Sequence, residues 1–197
     1  MEQLITPAEV ITQPTLEPLT LLEAKNHLYL PADDSNQDDE IARLIQAARE
    51  QWEHDTDSCV LTQTLRVRST GFGSSKMGEF HLFKRPVRSV TTVEYYDPSG
   101  VLQTLSTDVY SLDALSQKLR LKINKTWPVV ELSRWDAVSV TYVAGYAGRE
   151  DVPAIAKQAM LLLVGYYHLG NRGDNDRGND MAAYERLVAR YMRSSYP

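Results

Sequence analysis

The sequence predicts an α+β fold. Helices from the N- and C-terminal parts form a small bundle, and an antiparallel, hairpin-rich sheet or sandwich is inserted between them. Three observations carry this. Apolar residues recur at helical spacing from 41 to 52. From 61 to 142 the period drops to two, in short runs separated by turn signals. After Pro153 the helical period returns and holds nearly to the end.

Residues 1–18 hold Thr6-Pro7, Pro14-Thr15 and Pro18. The residue before a proline avoids the helical region, so this stretch reads as an extended arm. Residues 19–197 read as one domain, with helical parts at 19–57 and 152–193 and a β part at 60–146. Thr20 with Glu23 is a capping box that opens a short helix to about Leu28, before Pro31. The acidic run 33–40 lacks the central glycine and distal glutamate of a calcium loop. It reads instead as a helix start, with Ser35 as N-cap, Asp38 at the third helical position and acids favoured by the helix dipole. Ile41, Leu44, Ile45, Ala48 and Trp52 make one stripe on that helix, which ends near Thr56.

Leu65 and Val67 then alternate with Thr64, Arg66 and Arg68. Gly71, Gly73 and Gly78, with Ser74 and Ser75, mark a loop. Phe80 and Leu82 alternate up to Pro86. A strand from Val90 to Tyr96 meets Asp97-Pro98-Ser99-Gly100, a turn with proline at its second position, and 101–105 continues the hairpin. Strands at 109–112 and 118–122 follow, the second alternating Leu119 and Leu121 with three cations. Val138, Val140 and Tyr142 form the last strand, which halts at Gly145. Pro153 suits the first position of the next helix. Ile155, Ala156, Ala159, Met160, Leu162, Leu163, Tyr166 and Tyr167 make that helix apolar over much of its circumference, so it is buried on more than one side. Residues 170–178 read as a polar loop, and Asp180 as the cap of a final helix. Met181, Tyr184, Leu187, Val188, Tyr191 and Met192 share one face of it.

Composition narrows the function. At 197 residues, 43% hydrophobic and 24% charged, the chain is long enough for a sizeable core and is ordinary for a globular protein. No window approaches the roughly 20 apolar residues of a membrane helix. The first 18 residues lack the basic-then-apolar order of a signal peptide. One cysteine, Cys59, excludes an internal disulfide framework and a cysteine zinc cluster, which fits synthesis in a reducing cytoplasm. The net charge is −5, and the cations gather only at Lys84, Arg85 and Arg88 and at Lys118, Arg120 and Lys122. That balance argues against gripping DNA.

No catalytic centre emerges. His27, His54, His81 and His168 fall in four different elements, so neither metal nor cofactor is expected. Cys59 follows Glu53, Asp55 and Asp57, acids that discourage a thiolate, so it reads as an inert thiol. Residues 71–76 superficially resemble a phosphate loop but lack its Gly-Lys-Ser/Thr ending. Asp174, Asp176 and Asp180 alternate as calcium ligands do, yet a solvated interhelical loop accounts for them. There is no nucleophile elbow and no dinucleotide fingerprint.

Six segments, in order, carry a resemblance: 19–28 (LTLLEAKNHL), 39–49 (DEIARLIQAAR), 61–64 (LTQT), 85–90 (RPVRSV), 138–146 (VSVTYVAGY) and 152–159 (VPAIAKQA). Together they resemble the head–tail connector (adaptor) proteins of long-tailed bacteriophages and prophages, over most of the chain from Leu19 to Met192. The resemblance implies a non-catalytic structural subunit of the virion neck at the capsid portal vertex, made in the host cytoplasm. It implies a ring of about twelve copies below the portal, closed by heterologous interfaces. The helices would build the ring body and the C-terminal segment would reach the portal. The ring would extend the DNA channel and dock a stopper or tail-terminator protein, with duplex DNA passing unbound and no membrane involved. Residues 1–18 have no counterpart in it, and the tail beyond Met192 is short.

A DNA channel should not be lined with cations, since counterion release would make DNA adhere. Two apolar stripes are the candidate assembly interface: Ile41, Leu44 and Trp52 on one helix, and Met181, Tyr184, Leu187, Val188, Tyr191 and Met192 on the last. Burying each side chain contributes roughly 1.5–3 kcal/mol, against the chain's own core or another subunit. Three other readings stand beside this one. A stopper-like neck or tail-completion protein would be mainly β, without two closing helices. A small hydrolase needs Cys59, or Asp174, Asp176 and Asp180, to meet a second reactive group. A terminase small subunit is opposed by the charge.

Overall fold

The computed structural model describes residues 5–72, 79–131, 133–172 and 177–195. The chain divides into two compact units, Met1–Pro14 with Thr62–Gly145 and Thr15–Leu61 with Tyr146–Pro197. The first is all β and the second is helical, so the fold is α+β.

The β unit is built from β1 (Glu9–Thr12), β2 (Gln63–Ser69), β3 (Glu79–His81), β4 (Val87–Tyr96), β5 (Leu102–Thr104), β6 (Tyr110–Asp113), β7 (Lys118–Leu121) and β8 (Val138–Ala144). They form a five-stranded sheet ordered β1-β2-β8-β4-β5 and a three-stranded sheet ordered β3-β7-β6, antiparallel throughout. The period of two becomes a buried face. β2 alternates buried and half-buried at every residue, and its Leu65 and Val67 lie opposite Tyr142 and Val140 of β8. In the smaller sheet Leu119 faces both Phe80 and Leu112. Phe72 stacks on Trp127 at 4.6 Å and meets Phe80 and Tyr95 edge-on. The turn 97–100 forms as its residues require: the Gly100 amide donates to the Asp97 carbonyl at 2.8 Å, and Gly100 has a left-handed φ of 77°. Residues 9–12, in the stretch read as an arm, pair with β2 as an edge strand whose four side chains are all exposed. Of the glycine-serine loop, residues 73–78 lie outside the described residues.

The helical unit holds α1 (Leu21–His27), α2 (Asp38–Asp55), a single 3₁₀ turn (Arg149–Asp151), α3 (Ala154–Arg172) and α4 (Arg177–Ser195). The capping box forms: the Glu23 amide donates to Thr20 Oγ1 at 3.1 Å, and the Thr20 amide donates to the Glu23 carboxylate at 2.6 Å. Three boundaries differ from the sequence reading. α2 is capped by Gln37 without a side-chain hydrogen bond, so Asp38 is the first helical residue and Ser35 is not the cap. Pro153 is the residue before α3; its carbonyl accepts from Ala156 and Lys157. The predicted loop 170–178 shrinks from both sides, because α3 runs to Arg172 and α4 begins at Arg177. Asp180 therefore sits in the first turn of α4 instead of capping it. The glycines at 170 and 178 were read as breaks, yet a helical glycine costs only about 1 kcal/mol, which neighbouring packing offsets. Asp174 and Asp176 lie outside the described residues.

The helices share one core. Ile41, Ile45, Ala48 and Trp52 of α2 meet Ala159, Met160, Leu163 and Val164 of α3 and Tyr184 of α4. Trp52 packs edge-on to Tyr184 and tilted against Tyr191, with ring centroids at 6.3 and 5.1 Å. Gly165 of α3 lies where His27 of α1 and Asp180 of α4 approach; a Cβ there would stand 3.5 Å from each. Among the described residues no helix is long and apolar enough to cross a membrane.

Candidate assembly surface

The two stripes proposed from sequence meet each other first. Ile41, Trp52 and Tyr184 are fully buried within the helical unit. Leu44, Met181, Leu187, Val188 and Tyr191 are half-buried and pack on the same core. Met192 is half-buried at the end of the stripe. The choice left open between own core and another subunit therefore falls to the chain's own core for Ile41, Trp52 and Tyr184. The others keep only their outer edges for a partner.

Among the described residues the histidines and the cysteine lie apart. His54 and His81 are exposed, His27 is half-buried and His168 is buried in α3. Cys59 is buried and in no disulfide. Among the described residues no three His, Cys, Asp or Glu side chains are placed to hold a metal ion.

A different surface appears along α1. Lys25 is only 3% exposed. Its ammonium pairs with the Asp38 carboxylate and donates to the carbonyls of Asp34 at 2.8 Å and Ala32 at 3.3 Å. One buried cation thus folds the acidic linker back onto α1 and sets where α2 begins. A second cation, Arg49, anchors the approach to α1. Its guanidinium donates to Glu17 at 2.8 Å and to Glu53 at 3.1 Å, while Arg149 donates to the Glu17 carbonyl at 2.6 Å. Glu53 in turn accepts the Val60 amide at 2.7 Å.

Between these two anchors lies a cleft of about 280 Å³, lined by Glu17, Leu19, Leu21, Asp38, Asp39, Ala42 and Ile45. Its apolar floor and carboxylate rim suit an apolar group that carries a hydrogen-bond donor. It sits at the lower bound of the roughly 300–1,000 Å³ of small-molecule sites.

At the other end of α1 stands Tyr29, 96% exposed. The helix closes with two bonds, from the Leu30 amide to the Lys25 carbonyl at 2.9 Å and from the Tyr29 amide to the Asn26 carbonyl at 3.3 Å. That is a Schellman closure with Tyr29 at its left-handed position, φ 55°. Glycine is the usual occupant there, because a Cβ is strained at positive φ. α2 closes the same way, with the Ser58 amide on the Glu53 carbonyl and Asp57 at φ 47°, and aspartate tolerates that region. A fully exposed tyrosine in the strained position is the residue that sequence reading missed. The signal was present: a capped helix ending before Pro31 with no glycine after it.

In the β unit, Val10 and Ile11 on β1 and Leu102 on β5 are exposed on the two edges of the large sheet. Single apolar residues on short edge strands are ordinary. Trp135, 62% exposed beside Arg68, is the largest apolar side chain shown there.

No protein-family model matches the sequence, and no curated protein does. Solved structures do match. A chain in the virion of a native gene transfer agent particle aligns over 92% of this chain and 95% of its own, with TM-score 0.72 and 22% identity. A chain in the neck of an empty gene transfer agent particle, computed with sixfold symmetry, covers the same shares at TM-score 0.71 and 21% identity. A third, in the neck of the native particle computed with twelvefold symmetry, covers 83% of each chain at TM-score 0.61 and 18% identity. At these identities the likeness is one of fold, and it spans the helical and β units alike.

Proposed function

We propose that this chain is a non-catalytic structural subunit of a phage-type neck. About twelve copies form a ring below the portal, closed by heterologous contacts. The ring extends the DNA channel, joins capsid to tail and offers its far side to a stopper or tail-terminator protein. One observation carries the reading: the fold likeness runs along 92% of this chain and 95% of a virion chain, leaving no unmatched domain on either side. Necks computed with sixfold and twelvefold symmetry among the matching structures support a ring. The paired closing helices α3 and α4 favour this over a mainly β stopper.

The test is direct. The protein is mixed with the portal encoded beside it and imaged by electron microscopy. Ring-shaped density added at the portal is expected. Absence of any association removes the reading.

A further inference from the structure

We infer that Tyr29 of one copy fills the cleft between Glu17 and Asp39 of the next copy, making the head-to-tail contact of the ring. The inference rests on the ring reading above and names its contact.

Four observations converge. First, knob and hole lie on one helix and in one unit. Leu21, the first residue of α1, lines the cleft, and Tyr29 stands two residues past the other end of the helix, beyond about 9 Å of helix at 1.5 Å per residue. Tyr29 at one end of α1 stands apart from the cleft at the other, so a second copy is the natural donor. Such a contact is heterologous, the kind from which a ring is built where the rotation between copies closes.

Second, the chemistry matches. A tyrosine offers an apolar ring and one O–H donor. The cleft offers Leu19, Leu21, Ala42 and Ile45 with carboxylates at the rim. Phenol-to-carboxylate pairing already occurs in this unit, where Tyr184 donates to Asp55 at 2.6 Å. Asp39 is exposed and accessible to an incoming hydroxyl.

Third, the closure of α1 leaves a large aromatic side chain exposed. Tyr29 holds a backbone position suited to glycine while its side chain buries almost nothing in its own chain. A large aromatic side chain left exposed on a fixed turn is one that a partner surface can bury. Buried aromatic anchors also dominate interface energetics.

Fourth, Lys25 ties the two parts together. Its carbonyl closes the helix at Leu30, next to Tyr29, and its ammonium holds Asp38 on the cleft wall. Knob and hole are therefore preorganised by the same residue.

The test uses the full chain and three variants. Tyr29→Gly removes the knob and relieves the left-handed strain. Its melting temperature should hold or rise by about 2–4 °C. Its self-association should weaken at least thirtyfold, about 2 kcal/mol. Tyr29→Phe keeps the ring and loses the donor, and should weaken association about tenfold. Ala42→Trp blocks the hole at an exposed position. By sedimentation, Tyr29→Gly and Ala42→Trp should each be monomeric where the wild type forms oligomers, alone or on the portal. Their equimolar mixture retains one good junction and should give a one-to-one dimer. Either single variant assembling like wild type, a mixture that stays monomeric, or a wild type that never self-associates overturns the inference. Wild-type oligomers that form through this contact but never join a portal would instead remove the neck reading and leave the contact standing.

Discussion

At the scale of single residues, Tyr184 shows how a buried polar group ties stability to pH. Its ring is in the core and its hydroxyl donates to Asp55 at 2.6 Å. Burial first, and then the bond to the carboxylate, push the phenol far above its ordinary value. Burial, with Tyr191 beside it, likewise raises Tyr146 to about 12. In the unfolded chain both ionise near pH 10. Above that pH the native state holds protons the unfolded state has released, so stability is complete below about pH 10 and falls as pH rises further. A steep loss of melting temperature between about pH 10 and 12 is expected. Tyr184→Phe should cost about 1 kcal/mol at neutral pH, since Gln51 still donates to both Asp55 oxygens. It should also flatten the alkaline slope, though only partly, because Tyr146 remains. An alkaline slope equal to that of wild type would contradict this account.

At the scale of elements, the connection from α1 to α2 depends on a long-range partner that no local pattern displays. Lys25→Met keeps the buried stem and removes the ammonium. The carbonyls of Ala32 and Asp34 lose their donor, and Asp38, 32% exposed at its side chain, loses its ion pair. Breaking a fully buried pair costs about 3–5 kcal/mol; with Asp38 partly hydrated, about 1–3 kcal/mol is expected in urea denaturation. The same dependence explains what the sequence disclosed. The Thr20–Glu23 box was legible because all its bonds close within four residues. The strand series was legible because a period of two and the turn 97–100 are local patterns. Ser35 failed as a cap because Lys25, ten residues earlier in the sequence, holds that linker. The apolar stripes of α2 and α4 were read correctly as stripes, but a stripe does not say whether its partner is intramolecular. The cleft was invisible, since its walls come from the irregular approach segment, α1 and α2 together.

At the scale of the molecule, the proposed neck role requires duplex DNA to pass without being held, and the disposition of charge bears on that. Net charge is −5, yet local clusters matter more to phosphates than the total. One of the two local groups of cations in the sequence, at 118–122, is engaged. Lys118 pairs with Glu79 at 2.7 Å, Arg120 with Glu79 at 3.3 Å and Asp113 at 3.2 Å, and Lys122 donates to the Thr107 carbonyl at 2.9 Å. In the second group Arg88 donates to Thr62 at 3.0 Å. A phosphate gains little from a cation whose acid partner stays in place, because the carboxylate repels it. The protein should therefore fail to retain a short duplex in a mobility-shift assay at about 0.15 M salt, where even non-specific binders show dissociation constants of roughly 10⁻⁴–10⁻⁶ M. Glu79→Gln with Asp113→Asn frees Lys118 and Arg120 without adding a cation. If pairing is what silences them, this variant should bind detectably at low salt and gain a salt slope of up to about 2, near 0.9 per phosphate neutralised. Retention by the wild type at physiological salt would show that other cations face the DNA, and the channel role would then require a grip this charge pattern does not supply.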